Sequence, residues 1–186
     1  MVQYNWNLVE GRDYKMIDFL KKMGIKAFYE ILEIAEHPNL LFSNDKEQYF
    51  AEARYNQYTI QILNKLIKKN RTSLNELQQV IGFIETSWST YLSKYYKGKS
   101  FVFYFWCDFQ IPAIRVSVVS YYEGVELPFG CVLNMVNDKS EVLSLYVNKA
   151  DFDGMTIIES DGAEEVSNLE SDNGYTLTVY SKKINC

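Results

Sequence analysis

The chain has 186 residues, is 47% hydrophobic with 15 Tyr and 11 Phe, and carries a formal net charge of −5. That length suits one domain with a sizeable aromatic core. No apolar run reaches the ~18 residues a membrane span needs, and a pI near 5.0 argues against general nucleic-acid binding.

The N-terminal stretch to Arg12 has no clear period and no basic-then-apolar start, so no secretory signal is expected. Asp13 is an N-cap candidate for a helix running to Glu36, with Ile17, Leu20, Phe28, Ile31, Leu32 and Ala35 on one side. Gly24 bends or splits it, and His37-Pro38-Asn39 stops it. Asn44-Asp45-Lys46-Glu47 has capping-box spacing and opens a helix expected to reach about Asn70. Ser73-Leu74-Asn75-Glu76 is a second capping box. The helix after it carries Leu74, Leu77, Ile81, Ile84, Trp88, Tyr91 and Tyr95 in alternating steps of three and four. A short link between these last two helices predicts a long antiparallel hairpin, each arm about 35 Å at 1.5 Å per residue.

Lys97-Gly98-Lys99 ends the helical half, and the period then changes to two. Phe101–Phe109 is apolar at eight of nine positions, on both sides of an alternating strand. Such a strand must be covered on both faces and belongs in the middle of a sheet. Ile114–Tyr122, Cys131–Val136, Val142–Val147, Met155–Glu159 and Tyr175–Ser181 read as further strands joined by turns. The expected fold is α+β in a single domain, residues 1–186: a mainly helical part (1–99) and a mainly β part (100–186). The helices, hairpin included, would pack on one face of a C-terminal antiparallel sheet of about six strands.

Catalytic constellations are sparse. A nucleophile needs a nearby base, and the one histidine, His37, precedes a helix-stopping proline. Cys107 sits among phenylalanines that would raise its thiol pKa. Three cysteines (Cys107, Cys131 and Cys186) form no paired framework or zinc spacing, which fits a reducing cytoplasm. Asp151-Phe152-Asp153-Gly154 begins like a calcium loop, but its glycine comes fourth rather than sixth, so a turn is the simpler reading. Asp108 and Glu123 could act as an acid–base pair only if the fold brings them together. Lys65, Lys68, Lys69 and Arg71 could hold phosphate, although a helix C-terminus attracts lysines anyway. No cofactor is expected.

Charge is segregated. Residues 1–99 hold 14 Lys+Arg and 11 Asp+Glu, whereas residues 100–186 hold 5 and 13. Ser160 to Gly174 contains Asp161, Glu164, Glu165, Glu170 and Asp172 and no basic residue. With the abundant tyrosines, this points to a non-enzymatic inhibitor of the immunity type that neutralises a basic toxin or nuclease. The expected contact set is Asp151, Asp153, Asp161, Glu164, Glu165, Glu170 and Asp172. Two alternatives are a phage-type anti-defence protein, acting on a host nuclease complex or imitating nucleic acid, and an enzyme using carboxylates or a bound cation. The expected partner is one protein with a basic surface, with no membrane and no direct nucleic-acid contact. A homodimer stays open.

Overall fold

Gly24 separates the first two helices, as its position suggests. α1 spans Tyr14–Lys22 and α2 spans Ile25–Glu36. Gly24 between them has φ 107°, which costs a residue without Cβ little. Leu20, Ala27, Phe28, Ile31, Ile34 and Ala35 are buried, and α2 ends before His37. The computed structural model describes residues 14–40, 52, 55–108, 113–125, 127, 136, 138–149 and 179–186.

The helix predicted from Asn44 to about Asn70 does not run through. Tyr58–Thr59 is a strand, β1, and α3 covers only Gln61–Lys68. Aromatic and β-branched Tyr58, Thr59 and Ile60 favour extended backbone. They also find a sheet edge to complete, with Tyr58 opposite Val116 and Thr59 opposite Arg115. α3 then lacks a side-chain cap of its own, and Glu30 of α2 serves instead, accepting the Ile62 N–H at 2.9 Å. Asn70 ends this segment at φ 51°, and the Arg71 N–H donates to the Leu66 carbonyl at 2.9 Å, a Schellman-type closure.

α4, Leu74–Tyr95, opens on the predicted capping box: Glu76 N–H donates to Ser73 Oγ and Ser73 N–H to Glu76 Oε2. At 22 residues it is about 33 Å long, but α3, with eight, gives it no matching arm. The predicted long hairpin is therefore not what buries the α4 stripe. Leu77, Ile81, Ile84, Trp88 and Leu92 pack chiefly against α2 and against α5, Lys139–Lys149. The Trp88 indole N–H donates to the Ile34 carbonyl at 2.7 Å.

α5 replaces the strand predicted at Val142–Val147. Its buried residues, Val142, Leu143 and Tyr146, follow a helical spacing rather than strict alternation. Asp138 caps it by accepting the Ser140 N–H at 2.8 Å.

After β1 come β2, Ser100–Asp108, β3, Ala113–Ser120, and β4, Val179–Asn185. Among the described residues the sheet holds these four strands in the order β1-β3-β2-β4, with every pairing antiparallel. Of the six strands predicted, those at Cys131–Val136 and Met155–Glu159 lie outside the described residues, apart from an isolated parallel bridge between Val136 and Tyr180. β2 is central and flanked on both sides, so the arrangement is a β2–β3 hairpin with an earlier strand, β1, added beside β3 and a later one, β4, beside β2.

Both faces of β2 are covered. Phe101, Phe103, Phe105 and Cys107 join Ile114, Val116, Val118, Tyr180 and Ile184 beneath the helices. Val102, Tyr104 and Trp106 join Val119, Val179 and Leu127 on the other side. The chain is thus α+β with its helices on one sheet face.

Replacing Phe103, 0% exposed at the middle of β2, by Ala should destabilise the protein by about 3–5 kcal/mol. Ser73→Ala at the exposed α4 cap should cost only about 1 kcal/mol. Both are read as shifts in the urea unfolding midpoint, and equal shifts would contradict the burial assigned to Phe103.

Candidate functional site

All seven acidic positions proposed as contacts, Asp151, Asp153, Asp161, Glu164, Glu165, Glu170 and Asp172, lie outside the described residues. The other sequence candidates can be placed. Asp108 pairs with Ala113 at one end of the β2–β3 hairpin, while Phe101 pairs with Ser120 at the other. Glu123 follows Ser120, so the two carboxylates are separated by the strand length, roughly 25 Å at ~3.4 Å per residue. They form no acid–base pair. Cys107 is 1% exposed, and burial, with Asp108 beside it, pushes its thiol well above the ordinary range. Lys68, Lys69 and Arg71 are exposed around the closure that ends α3, where lysines complement the helix dipole. Among the described residues, no group of three or more His, Cys, Asp or Glu could hold a metal, and no helix is long and apolar enough to cross a membrane.

The structure brings together two further groups of side chains. The first centres on Glu85, which α4 carries on its buried side between Ile84 and Trp88. Lys139, from the first turn of α5, reaches Glu85 Oε2 at 2.6 Å; Lys182, from β4, reaches Oε1 at 2.6 Å. The Tyr180 hydroxyl donates to Oε2 at 3.3 Å and accepts from Lys139 Nζ at 3.2 Å. One carboxylate therefore joins α4, α5 and β4. Burial pushes Glu85 up, but the two lysine hydrogen bonds outweigh it and hold the carboxyl below its ordinary 4.5. Burial likewise pushes Lys139 down, and Glu85 with Tyr180 more than reverses this, raising it above 10.5.

The second arrangement is aromatic and lies where α4 ends. Tyr91 has its ring 4.7 Å from Tyr95, 6.2 Å from Tyr96 and 5.8 Å from His37 at the end of α2. Lys94 Nζ lies 5.1 Å from the Tyr95 ring centre. Inward, Tyr96 meets Phe101 edge-on at 5.9 Å, and Trp88 meets Phe103 at 5.7 Å. Burial raises the Tyr91 phenol pKa, with Tyr96 adding to the effect. His37, the rejected base, is thus one member of a surface aromatic group. The step-three, step-four stripe of α4 contained this signal in its last two members: Tyr91 is still partly covered by the core, whereas Tyr95 is exposed.

No family model matches the chain, and neither a curated protein nor a solved structure matches it.

The Glu85 pair has a defined pH signature. A carboxyl lowered in the folded state stabilises the fold above its unfolded pKa, and the benefit fades as pH falls through the folded value. For Lys139, raised in the folded state, the benefit is complete below its unfolded pKa and fades as pH rises through the folded value. Glu85→Gln should lower stability by about 1–3 kcal/mol at neutral pH. The gap to wild type should close as the solution is acidified below 4.5. Thermal melts of both proteins across that range check this; a gap independent of pH would remove the charge from the explanation.

Proposed function

We propose that this protein works without catalysis, as an inhibitor of the immunity type that captures one partner protein, a toxin or nuclease with a basic surface. The observation that carries this reading is the display of tyrosine on the outside of a fold already rich in buried aromatics. Tyr29, Tyr55, Tyr95 and Tyr122 are 47%, 60%, 54% and 40% exposed. Tyrosine presents a large rigid surface and a hydrogen-bonding tip at low entropic cost, which is why it anchors protein interfaces. The carboxylate excess of residues 100–186, 13 acids against 5 bases, supports a basic partner, because such a field accelerates encounter with positive surfaces. The buried ionisable groups support a structural rather than a chemical use: Glu85 is held by two lysines, and Glu52 accepts from the Ser120 backbone and hydroxyl.

The contact set in this proposal remains Asp151, Asp153, Asp161, Glu164, Glu165, Glu170 and Asp172. Reversing these to Lys should abolish capture of the partner from a native extract while the far-ultraviolet circular dichroism stays unchanged. Affinity capture with both forms, followed by mass spectrometry, makes the comparison. Recovery of the same partner by both forms would reject this contact set.

A further inference from the structure

The end of α4 carries charge opposite to that of the acidic C-terminal half. From Tyr91 to Lys99 the chain has three lysines and three tyrosines, and no Asp or Glu occurs between Glu85 and Asp108. Lys94, Lys97, Lys99 and Tyr95 are exposed, with His37 exposed beside them. Lys94 sits in the last turn of the helix, where it complements the dipole. Lys97 and Lys99 lie beyond that turn, on either side of Gly98 at φ 78°.

We propose that this lysine-collared aromatic cluster is a docking site for an acidic segment of a partner protein. Carboxylates would meet the ammonium groups and the Tyr95 hydroxyl, and apolar side chains between them would lie against the exposed edge of the Tyr95 ring. The charge selects the occupant: three cations on an exposed helix end attract an anion. The ring geometry selects protein over single-stranded nucleic acid. Stacked bases need open ring faces, whereas here Tyr91 is packed by Tyr95, Tyr96 and His37, and Lys94 occupies a face of Tyr95. The site shares with the proposed function the premise that surface tyrosines are contact groups. It does not depend on the acidic stretch, so charge reversal there and substitution here test separate claims.

The test is fluorescence anisotropy of a short labelled peptide of alternating Glu and Leu, added to the full chain at low ionic strength. Replacing Lys94, Lys97 and Lys99 together by Glu should weaken binding by about tenfold or more. Tyr95→Ala, at a position 54% exposed, should weaken it several-fold with an unchanged melting temperature. Replacing Lys65, Lys68 and Lys69 by Glu is the control for diffuse charge and should leave affinity within about twofold. Absence of peptide binding, or equal loss in both triple variants, would overturn the proposal. Tighter binding of oligo-dT than of the peptide, with the same dependence on Lys94, Lys97 and Lys99, would replace it with a nucleic-acid site.

Discussion

A strand with no wet face imposes the plan of this molecule. Phe101 through Phe105 are all 0% exposed, and Trp106 and Cys107 are nearly so. Each such side chain contributes roughly 1.5–3 kcal/mol when removed from water, but only if cover exists on both sides and hydrogen-bonding neighbours on both edges. The described helices α1–α5 converge on one side of β2, Leu127 seats on the other, and β3 and β4 flank it.

The outer edge of β3 shows the same demand met by unlike groups. Proceeding along it, the Ser120 N–H donates to Glu52, the Val118 carbonyl accepts from the Asn56 side chain, Val116 pairs with Tyr58, and the Ile114 carbonyl accepts from the Ile60 N–H. Residues between 52 and 60 therefore finish the sheet margin with side chains first and backbone afterwards. A buried strand cannot leave its polar backbone unanswered, which explains why a segment with a helical apolar spacing gives up two residues to a strand. It also explains a carboxylate at 0% exposure in Glu52.

Much of this was legible from residues alone. The Ser73–Glu76 box, the break at Gly24, the stop before Pro38 and the central place of the strand expected at Phe101–Phe109, observed as Ser100–Asp108, follow from local rules that tertiary packing did not override. The misreadings share one cause: short apolar runs carry no unambiguous period. Val142-Leu143 and Tyr146 fit a strand as a continuous run and a helix by spacing, and the cap at Asp138 decided for the helix. Tyr58-Thr59 lies inside the helix expected from Asn44 to about Asn70, and only the sheet edge it completes makes it extended. The Glu85 junction was beyond sequence reading, because its partners are 54 and 97 residues away and nothing local marks them. For the aromatic group at the end of α4, the residues show the tyrosines but not their neighbourhood; His37 and Tyr91 meet only once α2 and α4 are packed side by side.

The pairing of β2 also favours one order of assembly. Phe105 finds Val116 eleven residues ahead but must wait for Tyr180, seventy-five residues ahead. Closing the nearer loop sacrifices far less chain freedom, and distant pairings slow a folding reaction. The β2–β3 hairpin is accordingly expected to form before β4 docks, leaving one flank of the most apolar of the described strands uncovered until β4 arrives. During that interval the nascent sheet offers a sticky margin, so quality-control factors that recognise exposed strands would meet this chain late in its maturation, at β2.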